Sequence, residues 1–226
     1  MHRGPTPDAL PVSAAVVVPV KAFTLAKVRL APALEPVTRA ELARTMAARV
    51  LRAAGSLPVV VVCDDDEVRA WAKRQGAEAL WTPGLGLNGA VEAGVAHVER
   101  GGAARAIVAH ADLPLATELA WLAAFDGVTL VPDRHRDGTN VLCVPVGAGF
   151  RFAYGAGSFA SHRAEAARLG LAARLVPDEP LGWDIDLPAD LVVPPHLHLP
   201  VDVAGLLTVR EPATEVADIA PTAEVQ

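Results

Sequence analysis

Residues 14–20, Ala-Ala-Val-Val-Val-Pro-Val, form an almost unbroken apolar run rich in β-branched side chains. A strand with one wet face alternates polar and apolar residues. A run without alternation suits a strand covered on both faces, which is the situation in parallel sheets. The pattern recurs. Strands are predicted over 57–62, 77–81, 105–109, 128–131, 141–146 and 172–176. Helical spacing fills most of the intervals. Thr38 is read as the cap of a helix over 38–54, in which Leu42, Met46, Val50 and Leu51 share one side. Asp64 and Asp65 can cap a second helix that runs to Gln75 and stops at Gly76, and further helices are predicted over 88–100, 115–125 and 158–169. This alternation predicts an α/β fold: a three-layer α/β/α sandwich on a mostly parallel sheet, built from right-handed crossovers.

With 226 residues, 52% of them hydrophobic and 20% charged, the chain can bury one sizeable core. A single domain over 13–210 is expected, flanked by flexible segments 1–12 and 211–226. The net charge of −6 offers no general attraction to nucleic acid or to an anionic membrane, so neither is an expected partner. No apolar run reaches membrane-spanning length, and the first residues do not resemble a secretory signal. Cys63 and Cys143 lie in or at the end of predicted strands and read as reduced, buried thiols, which points to the cytoplasm. His196 and His198 read as part of a turn. The oligomeric state is left open, with a homodimer among the options.

Ligands of open α/β sheets bind beyond the carboxyl ends of the strands, so polar residues that follow apolar runs are the first candidates. After the first strand come Lys21, Lys27 and Arg29, cations that could bind a triphosphate, though a solvated basic loop is an equal alternative. After the strand 105–109 stands His110-Ala111-Asp112-Leu113-Pro114, where Asp112 could hold Mg²⁺ or simply cap a helix. Late in the chain, Trp183-Asp184-Ile185-Asp186 directs Asp184 and Asp186 to one side of an extended segment. With Asp112 they could form a two-metal clamp, Asp184 as ligand and Asp186 in support, while Asp186 or Asp190 could instead cap a short helix near Pro188.

Gly138-Thr139-Asn140, with Gly155-Ala156-Gly157-Ser158 opening a helix, could form a pocket for an anionic acceptor. An ordinary turn and a serine cap is the plainer alternative. The stretch 83–90, Pro-Gly-Leu-Gly-Leu-Asn-Gly-Ala, brings a glycine-rich loop and Asn88 to another helix start, where a base or ribose could lie. It lacks the Gly-Lys-Ser/Thr ending of a P-loop.

In this order and spacing, the segments resemble the guanylyltransferases of coenzyme F420 biosynthesis, the CofC/FbiD family, over about 16–191. The resemblance rests on Val-Pro-Val-Lys with Ala-Lys-x-Arg-Leu at 18–30, Gly-Leu-Asn at 86–88 and Asp-Leu-Pro at 112–114. It continues with Asp133-Arg134 before Gly-Thr-Asn at 138–140, Gly-x-Gly-Ser at 155–158 and Asp-Ile-Asp at 184–186. It implies a nucleotide-diphospho-sugar transferase-like fold and reaction of GTP with a phosphorylated three-carbon acid in the presence of Mg²⁺. Phosphoenolpyruvate, 2-phospho-L-lactate and 3-phosphoglycerate are the family's acceptors. By the same resemblance Asp112 and Asp184 look like metal ligands, and Thr139, Gly155 and Ser158 look like acceptor contacts. Ala111, Val28, Leu187 and the pair Arg136-Asp137 depart from the family's usual residues, and Asp137 adds an anion near the expected acceptor pocket. A related nucleotidyltransferase that uses CTP or another acceptor, such as cobinamide phosphate or molybdopterin, a sugar-nucleotide glycosyltransferase using Asp184-Ile185-Asp186, and a non-catalytic nucleotide binder are the alternatives.

Overall fold

The computed structural model describes residues 13–207; the segments 1–12 and 211–226, expected to be flexible, lie outside them. The strands are β1 (Ala14–Pro19), β2 (Val59–Cys63), β3 (Glu78–Trp81), β4 (Arg105–Ala109), β5 (Val128–Pro132), β6 (Thr139–Pro145) and β7 (Ala173–Leu175). They form one sheet in the order β3-β2-β1-β4-β6-β5-β7. Pairings are parallel except for β6, which runs antiparallel to both β4 and β5.

The helices are α1 (Pro36–Ala53), α2 (Asp66–Arg74), α3 (Gly86–Arg100), α4 (Ser158–Arg168), α5 (Glu179–Gly182) and α6 (Val201–Leu207). Successive β1 residues point to opposite faces, and both faces are covered. Val16 and Val18 pack with Ala47 and Val50 of α1 and Trp71 of α2, whereas Ala15 and Val17 pack with Val91 and Val95 of α3 and Phe159 of α4. The absence of alternation in residues 14–20 has this cause. Gly94 of α3 marks the closest approach, since a Cβ there would stand 2.6 Å from Val17 Cγ1. Cys63 and Cys143 are buried and unpaired.

Several expectations are corrected. Residues 115–125 do not form an α-helix. Only Ala120–Ala124 turns, as a 3₁₀ helix, and the stretch before it is held by burial of Leu115, Ala116 and Leu119 and by the bond from Leu119 N–H to Ala53 O at 2.9 Å. Tertiary packing overrides helix propensity there. Helix α1 starts before Thr38, at Pro36, whose fixed φ suits the first helical position; Glu35 is the cap residue. At the second helix Asp65 is the cap, accepting from Val68 N–H at 2.9 Å. The proline-rich stretch after Leu191 returns to the core through α6, where buried Val203 joins Leu30, Leu42, Met46 and Ile185 in a third apolar cluster. Arg49 Nη2 fastens that helix to α1 through Asp202 Oδ1 at 2.8 Å. No helix among the described residues is long and apolar enough to cross a membrane.

Candidate functional site

The chain runs outward from β1 to β3, then returns to β4 on the other side of β1, so the sheet has its switch point between β1 and β4. The loops leaving both strands meet above it. Two adjoining hollows open there, of about 440 Å³ and about 360 Å³, sharing Pro19, Val20, Lys21 and Leu87. The first is completed by residues that follow β2 and β3, among them Asp64 and Thr82; the second by Lys27, Arg29, His110, Asp112 and Asp186.

The loop after β1 is pinned by buried Phe23 and Leu30, each in a short 3₁₀ turn, Phe23–Leu25 and Val28–Leu30. Between them Lys27 takes a left-handed backbone (φ 55°), a conformation costing a non-glycine residue about 1–2 kcal/mol. Its ammonium thereby lies 2.7 Å from Asp112 Oδ2 and 3.7 Å from Asp186 Oδ1, and Arg29 Nη1 lies 2.7 Å from Asp186 Oδ2. Burial alone would pull the Lys27 ammonium down, but the charges of Asp112, Asp186 and Asp184 outweigh it and hold its pKa above the ordinary value. Lys27 and Arg29 are thus committed to carboxylates. Lys21, at the shared edge of both hollows, makes no ion pair among the described residues.

The three expected carboxylates come together from two segments. Ile185, fully buried, anchors the strip that carries Asp184 on one side of it and Asp186 on the other, and Ile185 N–H donates to Asp112 O at 3.3 Å. The strip is locked by Asp190, which caps the 3₁₀ turn Pro188–Leu191 as one reading of the sequence allowed, and by Arg134, which sequence reasoning had not singled out for this role. Asp190, 3% exposed, accepts from the backbone N–H groups of Asp186 (2.8 Å) and Leu187 (2.6 Å) and pairs with Arg134. Arg134 also donates to Asp184 O at 3.0 Å and lies over the Trp183 ring at 4.5 Å. The Asp133-Arg134 motif was the available signal.

Around this core stand the other candidates. Asn140, at the start of β6, donates to Leu181 O at 3.0 Å and faces Asp184 Oδ1 at 3.4 Å. Its neighbour Thr139 points to the opposite face of the sheet and meets His162 Nδ1 at 3.0 Å. Gly138 N–H donates to Asp133 Oδ2 at 2.8 Å, and a Cβ on Gly138 would stand the same 2.8 Å from that oxygen. Gly155 (φ 131°) leads to Ser158, which is buried at the start of α4. Asp137 does sit at this turn, where its Oδ1 accepts from Gly157 N–H at 3.2 Å. Asn88 spends its side chain on the backbone of Tyr154, accepting at 2.7 Å and donating at 3.4 Å, so it ties α3 to this loop. His196 Nε2 lies 2.8 Å from Glu179 Oε1, next to a turn closed by Leu197 N–H on Pro194 O.

Two observations suit a divalent cation. Asp112 Oδ1 is buried without a hydrogen-bond partner. For Asp184, burial and the like charge of Asp112 push the carboxyl above its ordinary range despite Asn140 and Arg134. Asp112 itself is held below that range, since Lys27 and His110 outweigh its burial. A cation between Asp112 and Asp184 would satisfy the orphaned oxygen and relieve the repulsion. Asp186 is instead occupied by Arg29 and Lys27, and no cluster of three or more His, Cys, Asp or Glu side chains stands ready as a cage among the described residues.

A three-layer sheet with cations and carboxylates facing each other over its switch point is the framework of a nucleotidyltransferase. The chain superposes on a candidate nucleotide-diphospho-sugar transferase of Desulfovibrio desulfuricans G20 with a TM-score of 0.64 at 16% identity, covering 79% of this chain and 84% of that one, a likeness of fold. Closer kinship is read in the sequence. Residues 14–193 match the family model described as guanylyl transferase CofC like. A Sphaerobacter thermophilus protein named phosphoenolpyruvate guanylyltransferase is 41% identical over 184 residues, which is 77% of this chain and 89% of the relative. A Rubrobacter xylanophilus protein of the same name is 38% identical, over 77% of this chain and 90% of its own. The chain belongs to the CofC-like guanylyl transferase family.

Proposed function

We propose that the chain transfers GMP from GTP to phosphoenolpyruvate, releasing pyrophosphate, as a step of coenzyme F420 biosynthesis. The observation that carries the choice of acceptor is the shared name of relatives reaching 41% identity across 89% of their length. A phosphate oxygen of the acceptor attacks the α-phosphorus of GTP, a new P–O bond forms, and the bond from that phosphorus to the β-bridging oxygen breaks. The acceptor phosphate is already ionised near neutral pH, so no protein nucleophile is required and catalysis rests on positioning and charge neutralisation.

Asp112 and Asp184 would hold Mg²⁺, the metal proposed for this site, which supplies charge neutralisation at the transferred group when bound. Mg²⁺ commonly takes one or two carboxylates and completes its shell with water and substrate phosphate, which the Asp112–Asp184 pair allows. Lys21 is the uncommitted cation for the phosphates. Lys27 and Arg29 fix Asp112 and Asp186, and Asn140 steadies Asp184. Gly138 and Gly155 are proposed to border the acceptor, with buried Thr139 and Ser158 backing that wall and Asn88 holding the loop to α3. GTP and phosphoenolpyruvate are multiply charged and confined within cells, so the proposed compartment is the cytoplasm.

Pyrophosphate release by the purified protein with Mg²⁺ tests the proposal, with GTP and CTP each set against phosphoenolpyruvate, 2-phospho-L-lactate and 3-phosphoglycerate. Turnover is expected with GTP and phosphoenolpyruvate. Preference for another acid reassigns the acceptor, and turnover with CTP alone overturns the guanylyl donor.

A further inference from the structure

The chemistry of the second hollow is accounted for by phosphates, metal and acceptor; the first is not. It lies at the carboxyl ends of β1, β2 and β3, with Val20, Leu87 and Ala90 as apolar walls and Lys21 on the side shared with the second hollow. A planar base placed there would have its phosphates running across Lys21 toward Asp112.

Its charged lining residue besides Lys21 is Asp64, directly after β2. The adjacent acids are spent: Asp65 caps α2 through Val68 N–H at 2.9 Å, and Asp66 pairs with Arg69 at 2.7 Å. Thr82 also lines the hollow, but its hydroxyl donates to Cys63 O at 3.3 Å. Asp64 alone of these keeps its side chain free, with no hydrogen bond or ion pair among the described residues.

We infer that this hollow seats the base of the donor nucleotide and that Asp64 reads it as guanine. The inference rests on the guanylyl-donor reading above and adds the residue that enforces it. Guanine presents two adjacent donors, N1–H and the N2 amino group, and a carboxylate presents two adjacent acceptors, so the match is bidentate and charge-assisted. Cytosine and adenine instead set a ring-nitrogen acceptor beside one amino group. One carboxylate oxygen would then face a lone pair, a mismatch that rejects these bases as well as failing to bind them.

The test follows initial rates of pyrophosphate release at fixed phosphoenolpyruvate with GTP, ITP and XTP. ITP lacks the N2 amino group, and XTP replaces it with a carbonyl. The wild-type protein is expected to prefer GTP over ITP by roughly tenfold and over XTP by more. In Asp64→Asn the side-chain amide can donate to the xanthine carbonyl. Its kcat/KM for GTP is expected to fall roughly ten- to a hundredfold, XTP to overtake GTP, and KM for phosphoenolpyruvate to hold. A folded Asp64→Asn with the wild-type GTP to XTP ratio overturns the assignment of Asp64 while leaving the donor reading intact. Should that variant fail to fold, the wild-type series decides, because equal rates with GTP, ITP and XTP also overturn it. A wild-type preference for CTP overturns the donor reading and the inference together.

Discussion

Lys27 and Asp112 are 85 positions apart in the chain, and their charged groups meet at 2.7 Å above the switch point of the sheet. The Lys27 side chain is 9% exposed and that of Asp112 23%, so the pair is largely drawn out of water. Such pairs are costly to break from one side, because the abandoned charge stays behind. The protein therefore keeps Asp112 ionised by holding a cation next to it, while the other oxygen of that carboxylate remains free.

Replacing Lys27 with methionine should leave Asp112 without its ammonium, while Asp186 keeps Arg29. A loss of up to about 3 kcal/mol is expected in the presence of a chelator. Added Mg²⁺ should recover more stability in Lys27→Met than in the wild type, since a bound cation supplies the missing charge. Thermal melts with EDTA and with Mg²⁺ check this. Identical Mg²⁺ responses in the two proteins would show that the cation does not bind at this carboxylate.

Asp184 poses the opposite case, a carboxylate raised by burial and by its neighbour Asp112. Asp184→Asn removes a repulsion, so without metal the variant should be as stable as the wild type or more so. Turnover should nevertheless fall at least a hundredfold if Asp184 holds the cation. Melting curves and pyrophosphate release, run side by side, test the two halves separately. A stable variant with full turnover would remove Asp184 from the site.

The layers of this fold are written in residues 14–20 and in the later apolar runs, because burial on both faces leaves a local mark in composition. The antiparallel course of β6 leaves a fainter one. It follows from the short connection 133–138, too brief for a helical crossover, between strands whose own sequences look like the rest. The residues at 115–125 carry helical propensity yet are held otherwise by contacts with α1, which no local pattern reports. At the site, Asp112, Asp184 and Asp186 stand out because they follow apolar runs. Arg134 does not, since its partners Asp184 and Asp190 lie about fifty positions away; of Asp190 only the local half, the cap near Pro188, was legible.

Asp190 offers the clearest separation of support from chemistry. Its carboxylate accepts from Asp186 N–H, Leu187 N–H and Arg134 and is almost wholly buried. Asp190→Ala would orphan two backbone donors and a guanidinium, for an expected cost of about 3–5 kcal/mol. Chemical denaturation measures this. In whatever fraction stays folded, Mg²⁺ stabilisation should weaken as well, because the strip carrying Asp184 loses its anchor; an undiminished response would make Asp190 a stability residue alone.

His162 makes the stability of the chain depend on pH in a defined window. The ring is fully buried, and its Nε2 accepts from Ala153 N–H at 3.0 Å, so the neutral ring carries its proton on Nδ1 and donates it to Thr139 Oγ1. Burial, aided by the charge His110 can carry, lowers its pKa from 6.5 to about 4. A depressed folded-state value means that the unfolded chain takes up the proton first as pH falls. The contribution is complete above pH 6.5 and is lost between 6.5 and about 4, for a total near 3 kcal/mol, with no further loss from this group below that. Urea unfolding at pH 8, 6.5, 5 and 4 should trace this fall, and His162→Gln, which retains a donor and an acceptor, should flatten it. The ordinary onset for Asp112, whose pKa is lowered from 3.8, lies beneath that window. A wild-type slope that survives in His162→Gln would therefore assign the titration to another group.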